Sequence, residues 1–324
     1  MEKQFSIHVG TLEQGLFTSS DKGETWKRPI FGDGVSIRAL CVDPIKPYKI
    51  YAGSDNHGLF QSNNNGVTFE KNLTFPESRQ IWSIAVDPSD SDTIYIGTRP
   101  GIYRSKDCGE TWQDLPLNGV EECAVGIPRT TGIVIDPIDN KKIWAGAEVD
   151  GIFKSVDGGD SWNHFEDIGT GKSIYESDVH SVARNGNVTY AGTPFGLART
   201  ENEGETWDWH YFPSYLEEEN AYCRAVVIKP DDLNVMYVAT GDGIPGEIGG
   251  IQRTIDGGKS WERVKLPIEP KSVMYWISVH AKIPNVVVSG SLYGFIYISE
   301  DAGKNWIKIY KEFGELRAIA VSPN

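Results

Sequence analysis

Three arginines, two tryptophans, a threonine and a histidine occupy matching places along the 324-residue chain: Arg38, Trp82, Thr131, His180, Arg224, Trp276 and Arg317. Each lies at the head of a short apolar stretch and is found by counting back from the turn that closes it, as in "AVDP" at 85–88. Guanidinium forks bind carboxylates in planar, bidentate pairs, and indole faces stack on sugars and aromatic rings. Such a set is expected to form a pocket in which the guanidiniums bind a carboxylate or similar anion and Trp82 and Trp276 stack on a sugar or an aromatic ring. Two residues earlier stand Ser36, Gln80, Arg129, Asp178, Tyr222, Met274 and Glu315. Among these, Asp178 and Glu315, together with His180, can serve as general acid and base, and Tyr222 is a further participant. Neighbouring loops contribute Glu13, Asp55, His57, Glu148, Asp150, Glu247 and Tyr293. The competing structural reading is a wet channel mouth that tolerates any polar residue, its tryptophans capping the packing.

A repeated unit must hold these residues. "GIFKSVDGGDSW" at 151–162 has six close copies, whose central glycines are Gly23, Gly66, Gly109, Gly204, Gly258 and Gly303, with Gly159 in the quoted one. Successive intervals are 43, 43, 50, 45, 54 and 45 residues, the period of a propeller blade. Within one unit, "IWSIAVDP" (81–88), "TIYIGT" (93–98), "GIYRS" (101–105) and "TWQDL" (111–115) read as four strands separated by turn residues. The chain starts with a second strand, "FSIHVGT" (5–11), and finishes with a first, "LRAIAVSPN" (316–324). Those two must share a blade, which removes the open edges. The expected fold is all-β: residues 1–324 form a single seven-bladed propeller of four-stranded antiparallel blades.

The repeated turn explains itself without chemistry. Its acid or amide (Asp21, Asn64, Asp107, Asp157, Asn202, Asp256, Asp301) can accept hydrogen bonds from its own turn, and its glycine permits positive φ. Asn at two places suits an acceptor and not a catalytic carboxylate. "DGGD" at 157–160 looks like a fragment of a calcium loop but lacks the ligand spacing and the closing glutamate. "GDGIPG" (241–246) fits GxGxxG, yet no helix follows to receive a phosphate. "YLEEEN" (215–220) is expected to be a solvated face. Neither metal nor cofactor is expected.

The S/T-x-D/N-x-G-x-T/S-W pattern resembles the Asp-box, or BNR, repeat of sialidases, xyloglucanases, sortilin-type receptors and photosystem II assembly factors, and covers essentially the whole chain. The resemblance implies ligand binding on the face opposite the repeated turns, over the central channel. Sialidase-like members clamp a carboxylate with three arginines, a part that Arg38, Arg224 and Arg317 could take in a glycoside hydrolase or lyase. The sequence departs from sialidases in having seven units instead of six and in lacking a Phe/Tyr-Arg-Ile-Pro motif; "GIPRT" (126–130) is not one. The photosystem II assembly factors imply the alternative, a non-catalytic protein-binding scaffold. A receptor of the sortilin type fits poorly with the lack of a signal and of disulfide framework.

Bulk composition narrows the partners. A formal charge of −14 and a pI near 4.9 speak against nucleic acid and anionic membranes. Four cysteines without framework spacing, and an N-terminus without an apolar core, lead us to expect a cytoplasmic monomer with reduced thiols. Its expected partner is a small-molecule or glycan ligand, or a protein.

Overall fold

The computed structural model describes residues 5–30, 32, 34–124, 126–171, 174–212 and 222–324. The acidic run at 215–220 lies outside them. Seven antiparallel sheets of four strands form a ring. Counting blades from the N-terminus, the innermost strands are Leu316–Pro323, Ile37–Val42, Gln80–Asp87, Thr130–Ile135, Ser181–Asn185, Tyr222–Ile228 and Met274–Val279. The seven-bladed, all-β architecture expected from the repeat is what the chain adopts. Among the described residues the only helical element is a one-turn 3-10 helix, Ile174–Ser177, and no helix is long and apolar enough to cross a membrane.

The second strand of each blade explains how the blades approach. Ile50–Ser54, Ile143–Ala147 and Val287–Ser291 are buried along their whole length, because each faces a neighbouring blade on both sides. Gly53 marks the closest approach: a Cβ there would lie 2.2 Å from Ile81 of the next inner strand. Between blades the core is made of interleaved aliphatic and aromatic side chains. Phe75, for example, meets Tyr103 and Trp112 edge-on at 5.3 and 5.1 Å. The outermost strands run only two to four residues, which keeps their free edges short.

The repeated turn joins the third and fourth strands. In the fourth blade, Ser155 Oγ donates to Asp157 Oδ1 and accepts from Gly159 N, both at 2.8 Å. Asp157 also accepts from Ser161 N at 2.9 Å and Ser161 Oγ at 2.6 Å. Gly159 sits at φ +93°, where a side chain would be strained. Asn64 keeps the acceptor role toward Thr68 N at 3.0 Å, while its amide donates to Thr68 Oγ1 at 2.8 Å. A turn that works with either residue is a structural device.

Closure joins the chain's two ends. Phe5–Thr11 pairs antiparallel with Leu316–Pro323, from Phe5 opposite Pro323 to Thr11 opposite Leu316. His8 is fully buried at this seam, its Nδ1 3.1 Å from Thr18 Oγ1 and its Nε2 2.9 Å from Ser322 Oγ. Ser322 Oγ donates onward to Asn65 Oδ1 of the next blade at 2.7 Å. Burial pulls the His8 imidazole down to about 3, so it is neutral in the fold.

Deleting residues 316–324 should expose the whole edge of Phe5–Thr11 and abolish cooperative unfolding; a truncated protein with an unchanged melting curve would refute the shared blade. His8 gives a pH signature. The unfolded chain takes up a proton as pH falls below about 6.5 and the folded chain does so only near 3, so stability drops across that window. One such group contributes a slope of about 1.4 kcal/mol per pH unit. His8→Gln should be less stable at neutral pH and show a shallower acid slope in urea titrations between those limits; an unaltered slope would exclude His8 as the source.

Candidate functional site

Six of the seven inner strands break step with their neighbours near their start. The register skips at Arg38, Trp82, Thr131, Arg224, Tyr275 and Arg317, leaving one unpaired residue in each of six blades. In the fifth blade His180 directly precedes the inner strand, and its N donates to Gly192 O at 2.9 Å. A bulge turns its extra side chain away from the sheet. All seven of these residues line one open cavity of about 660 Å³ at the channel mouth. Strand alternation puts this mouth on the face opposite the repeated turns.

One member differs from the sequence count. The bulge of the seventh blade falls on Tyr275, and Trp276 is the next residue, lining the lower channel with Trp82, Ala39 and Val226. Counting five back from His280, which stands where the second, third and fourth blades carry Asp43, Asp87 and Asp136, gives Tyr275. His280 Nδ1 accepts from Lys282 N at 3.2 Å, as Asp43 Oδ1 accepts from Ile45 and Lys46 N at 2.8 Å.

The arginines are arranged around two aromatic rings. Trp82 of the third blade has the guanidinium of Arg38, from the second, 4.6 Å from its ring centroid and that of Arg129, from the fourth, at 4.4 Å. Both guanidiniums therefore lie within cation–π range of the indole. Tyr275 of the seventh blade is flanked in the same way by Arg224 of the sixth at 4.5 Å and Arg317 of the first at 5.8 Å. Both also donate to its phenol oxygen, Arg224 Nη2 at 3.1 Å and Arg317 Nη1 at 3.4 Å.

These contacts revise the expected roles. Trp82 is engaged by two guanidiniums, and Trp276 lies below the mouth with the Arg224 guanidinium 5.6 Å from its ring. Arg38 forms an ion pair with Asp55, which occupies it as an anion clamp. Glu315 pairs with Arg317 and does not line the cavity, so it neutralises a rim charge and is not placed as an acid or base. Arg224, which has no carboxylate partner among the described residues, and Arg317, already paired with Glu315, converge on the Tyr275 oxygen. The exposed aromatic surface of the mouth belongs to Tyr175, on the 3-10 turn.

Asp178, His180 and Tyr222 do come together. His180 Nε2 lies 3.3 Å from Asp178 Oδ1 and 3.2 Å from the Tyr222 phenol oxygen, and the two rings tilt at 4.9 Å. Thr131 Oγ1 donates to Val179 O, and the His180 carbonyl accepts from Arg224 Nη1 at 3.1 Å, which fixes this segment from both neighbouring blades. Burial pushes the Tyr222 phenol well above its ordinary value, making it a proton donor and not a base. Glu148, reached by Arg129 Nη1 at 2.9 Å, also lies here. Its carboxyl is raised by burial, with Asp178 adding to the effect and Arg129 opposing it.

Glu148, Asp178 and His180 bring one ligand atom each within 4.8 Å of one another, the one such trio among the described residues. Glu148 is already compensated by Arg129, and a cation here would face Arg224 as well. The electrostatics of this mouth favour an anion.

Arginine 224 is buried, and Tyr275 is only 4% exposed. Burial would raise the Tyr275 phenol, but the charges of Arg224 and Arg317 and their hydrogen bonds outweigh it and bring it down to about 8. Gln80 Oε1, Trp82 Nε1, His180 Nδ1, Arg224 Nε and Arg317 Nε are buried without a hydrogen-bond partner in the protein. So many in one place is unusual for a folded interior and suits groups that meet water or ligand. Residues beyond the sequence-derived ring also line the mouth. Tyr275 was recoverable by treating His280 as a turn residue, whereas Arg99 ends the second strand of the third blade and Tyr175 lies on the 3-10 turn.

No family model matches the chain. Among curated proteins it is similar to a probable oligoxyloglucan-reducing end-specific xyloglucanase of Neosartorya fischeri, 26% identical over 290 residues, or 74% of this chain and 35% of that protein. The chain thus spans about a third of that relative's length. Among solved structures it resembles a GH74 xyloglucanase from Xanthomonas campestris (TM-score 0.68, 18% identity, 99% of this chain and 52% of that one). It also resembles YCF48 bound to D1 peptide (TM-score 0.58, 17% identity, 85% of this chain and 82% of that one). At these identities the structural likenesses establish the propeller fold.

The titration of Tyr275 is directly measurable. Tyr51, Tyr95, Tyr103, Tyr190, Tyr222, Tyr237 and Tyr297 are all pushed upward by burial. Ultraviolet difference titration should therefore show one tyrosine ionising near pH 8, ahead of these seven, and Tyr275→Phe should remove it. A wild-type curve without that early step would show that the two guanidiniums do not govern the phenol.

Proposed function

We propose that the channel mouth binds a ligand bearing a carboxylate, an acidic sugar or a small carboxylate, through Arg224 and Arg317. The observation that carries this reading is Arg224. Its guanidinium is buried, makes no ion pair with a carboxylate among the described residues, and stands on a cavity large enough for a sugar unit. Burying an uncompensated charge is costly, and the Tyr275 phenol offers a counter-charge only when it ionises, near pH 8. An anionic ligand supplies the missing charge and accepts from the unpaired Nε groups. Tyr175 offers the face on which a sugar ring can lie. The likeness to xyloglucanases supports a glycan, and the guanidinium pair supports an acidic glycan over a neutral one.

A second reading, a protein-binding scaffold, draws on the YCF48 likeness, since a peptide can present a carboxylate to the same pair. Uronic-acid oligosaccharides, neutral xyloglucan oligosaccharides and short peptides with free or amidated C-termini separate the two in thermal-shift and calorimetric titrations. The acidic sugars should stabilise the protein by about 2.7 kcal/mol at a hundredfold excess over their Kd. They should also move the early tyrosine transition upward, because a bound carboxylate draws on the charges that hold it down. Arg224→Lys and Arg317→Ala should weaken binding, while Lys22→Ala, in a repeated turn on the opposite face, should not. Binding of neutral sugars alone would overturn the carboxylate reading, and binding confined to peptides with a free C-terminus would favour the scaffold.

A further inference from the structure

Two guanidiniums beside one phenol make a set of groups with a specific chemical competence. A carboxylate whose charge is neutralised by arginines makes the hydrogen on its neighbouring carbon more acidic. If an oxygen substituent sits one carbon further on, removal of that hydrogen expels it. The group that takes the proton must lie beside the arginines that hold the carboxylate. Tyr275 does, because Arg224 Nη2 and Arg317 Nη1 both point at its oxygen from 3.1 and 3.4 Å. Tyr275 is the bulge residue of its strand and lines the cavity, with the two guanidiniums 4.5 and 5.8 Å from its ring centroid.

Resting on the carboxylate reading above, we infer that Tyr275, held between Arg224 and Arg317, is the base and acid of a β-elimination that cleaves the glycosidic bond at C4 of a uronic-acid residue. The Tyr275 phenolate oxygen takes the C5 proton of the uronate. The electron pair left behind forms the C4=C5 double bond, and the C4–O bond breaks. The departing oxygen then receives the proton from the Tyr275 hydroxyl, which restores the phenolate. One glycan chain becomes two, one ending in an unsaturated uronate and the other in a free hydroxyl, with no water, metal or redox partner consumed. The depressed phenol makes the reactive phenolate available near neutral pH, which burial alone would not allow. Hydrolysis requires instead a carboxylic acid and a carboxylate free to act across the bond. Here Glu148 is engaged by Arg129 and Glu315 by Arg317, and Asp178 lies 3.3 Å from His180 Nε2.

The test uses the full-length chain and a panel of oligogalacturonate, oligomannuronate and oligoglucuronate. Calorimetry follows binding, and ultraviolet absorbance with mass spectrometry follows the conjugated unsaturated product. The wild type should bind at least one of them and release a product that has gained no water. Tyr275→Phe should keep its affinity within about threefold while losing about 10²–10⁴-fold in rate, with an unchanged melting temperature confirming that it folds. Arg317→Ala should lose both affinity and rate. Binding without product overturns the elimination and leaves the carboxylate reading standing. Products that have gained water, or a Tyr275→Phe variant with wild-type turnover, overturn it as well. Absence of binding across the panel overturns both.

Discussion

The pairing of Leu316–Pro323 with Phe5–Thr11 is the constraint on which the rest of the molecule depends. Open sheets can add strands; a ring whose last strand must hydrogen-bond to its first cannot. With seven blades in the ring, every inner strand has two neighbours at a spacing set by packing, and glycines such as Gly53 allow that spacing where a Cβ would clash. Closure also creates an adjacency that chain order does not suggest. Arg317, near the C-terminus, stands between the blades that carry Tyr275 and Arg38.

Around that ring, one local irregularity is used repeatedly. An extra residue near the start of an inner strand cannot join the ladder, and its side chain goes to the channel mouth. The residues placed there alternate in a way that electrostatics can accept. Arginines from blades two and four flank Trp82, and arginines from blades six and one flank Tyr275. Each guanidinium in range of an aromatic ring contributes about 0.5–2 kcal/mol of attraction. The two stacks are not equivalent. Around Trp82 both arginines have carboxylate partners, Asp55 and Glu148, and indole has no titratable group. Around Tyr275 only Arg317 has one, and the ring carries an ionisable oxygen. One stack is compensated and structural; the other retains unmatched charge and a proton to exchange.

The mixture of roles among the predicted site residues follows from this difference. Asp178, His180 and Tyr222 meet as the sequence suggested, because the short turn at Ile174–Ser177 and the Thr131–Val179 hydrogen bond deliver them to one wall. Arg38 and Glu315 are absorbed into ion pairs. Trp82 is engaged by two arginines, and Trp276 lies one residue beyond the bulge. Residue type at a repeat position indicates that a side chain reaches the mouth; its partner determines whether it is free to act.

The amino-acid sequence by itself determined the architecture. Seven copies of one turn at blade-length intervals, four strand-like segments between them, and a second strand at the front with a first strand at the end leave one way to bury every sheet face and close every edge. It determined six of the seven residues at the mouth as well, because a bulge at a fixed distance from a turn is a local property. The seventh was missed by one residue: the turn position of that blade is His280, whose imidazole nitrogen accepts the backbone hydrogen bond that Asp43 accepts in the second blade. Only the tertiary structure decided which charges remain unmatched. Arg38 finds Asp55 seventeen residues away and Arg317 finds Glu315, whereas Arg224 meets Tyr275 from a separate blade with no carboxylate partner among the described residues. Such encounters depend on the angles between blades, and those are fixed by packing around the closed ring, not by any pattern along the chain.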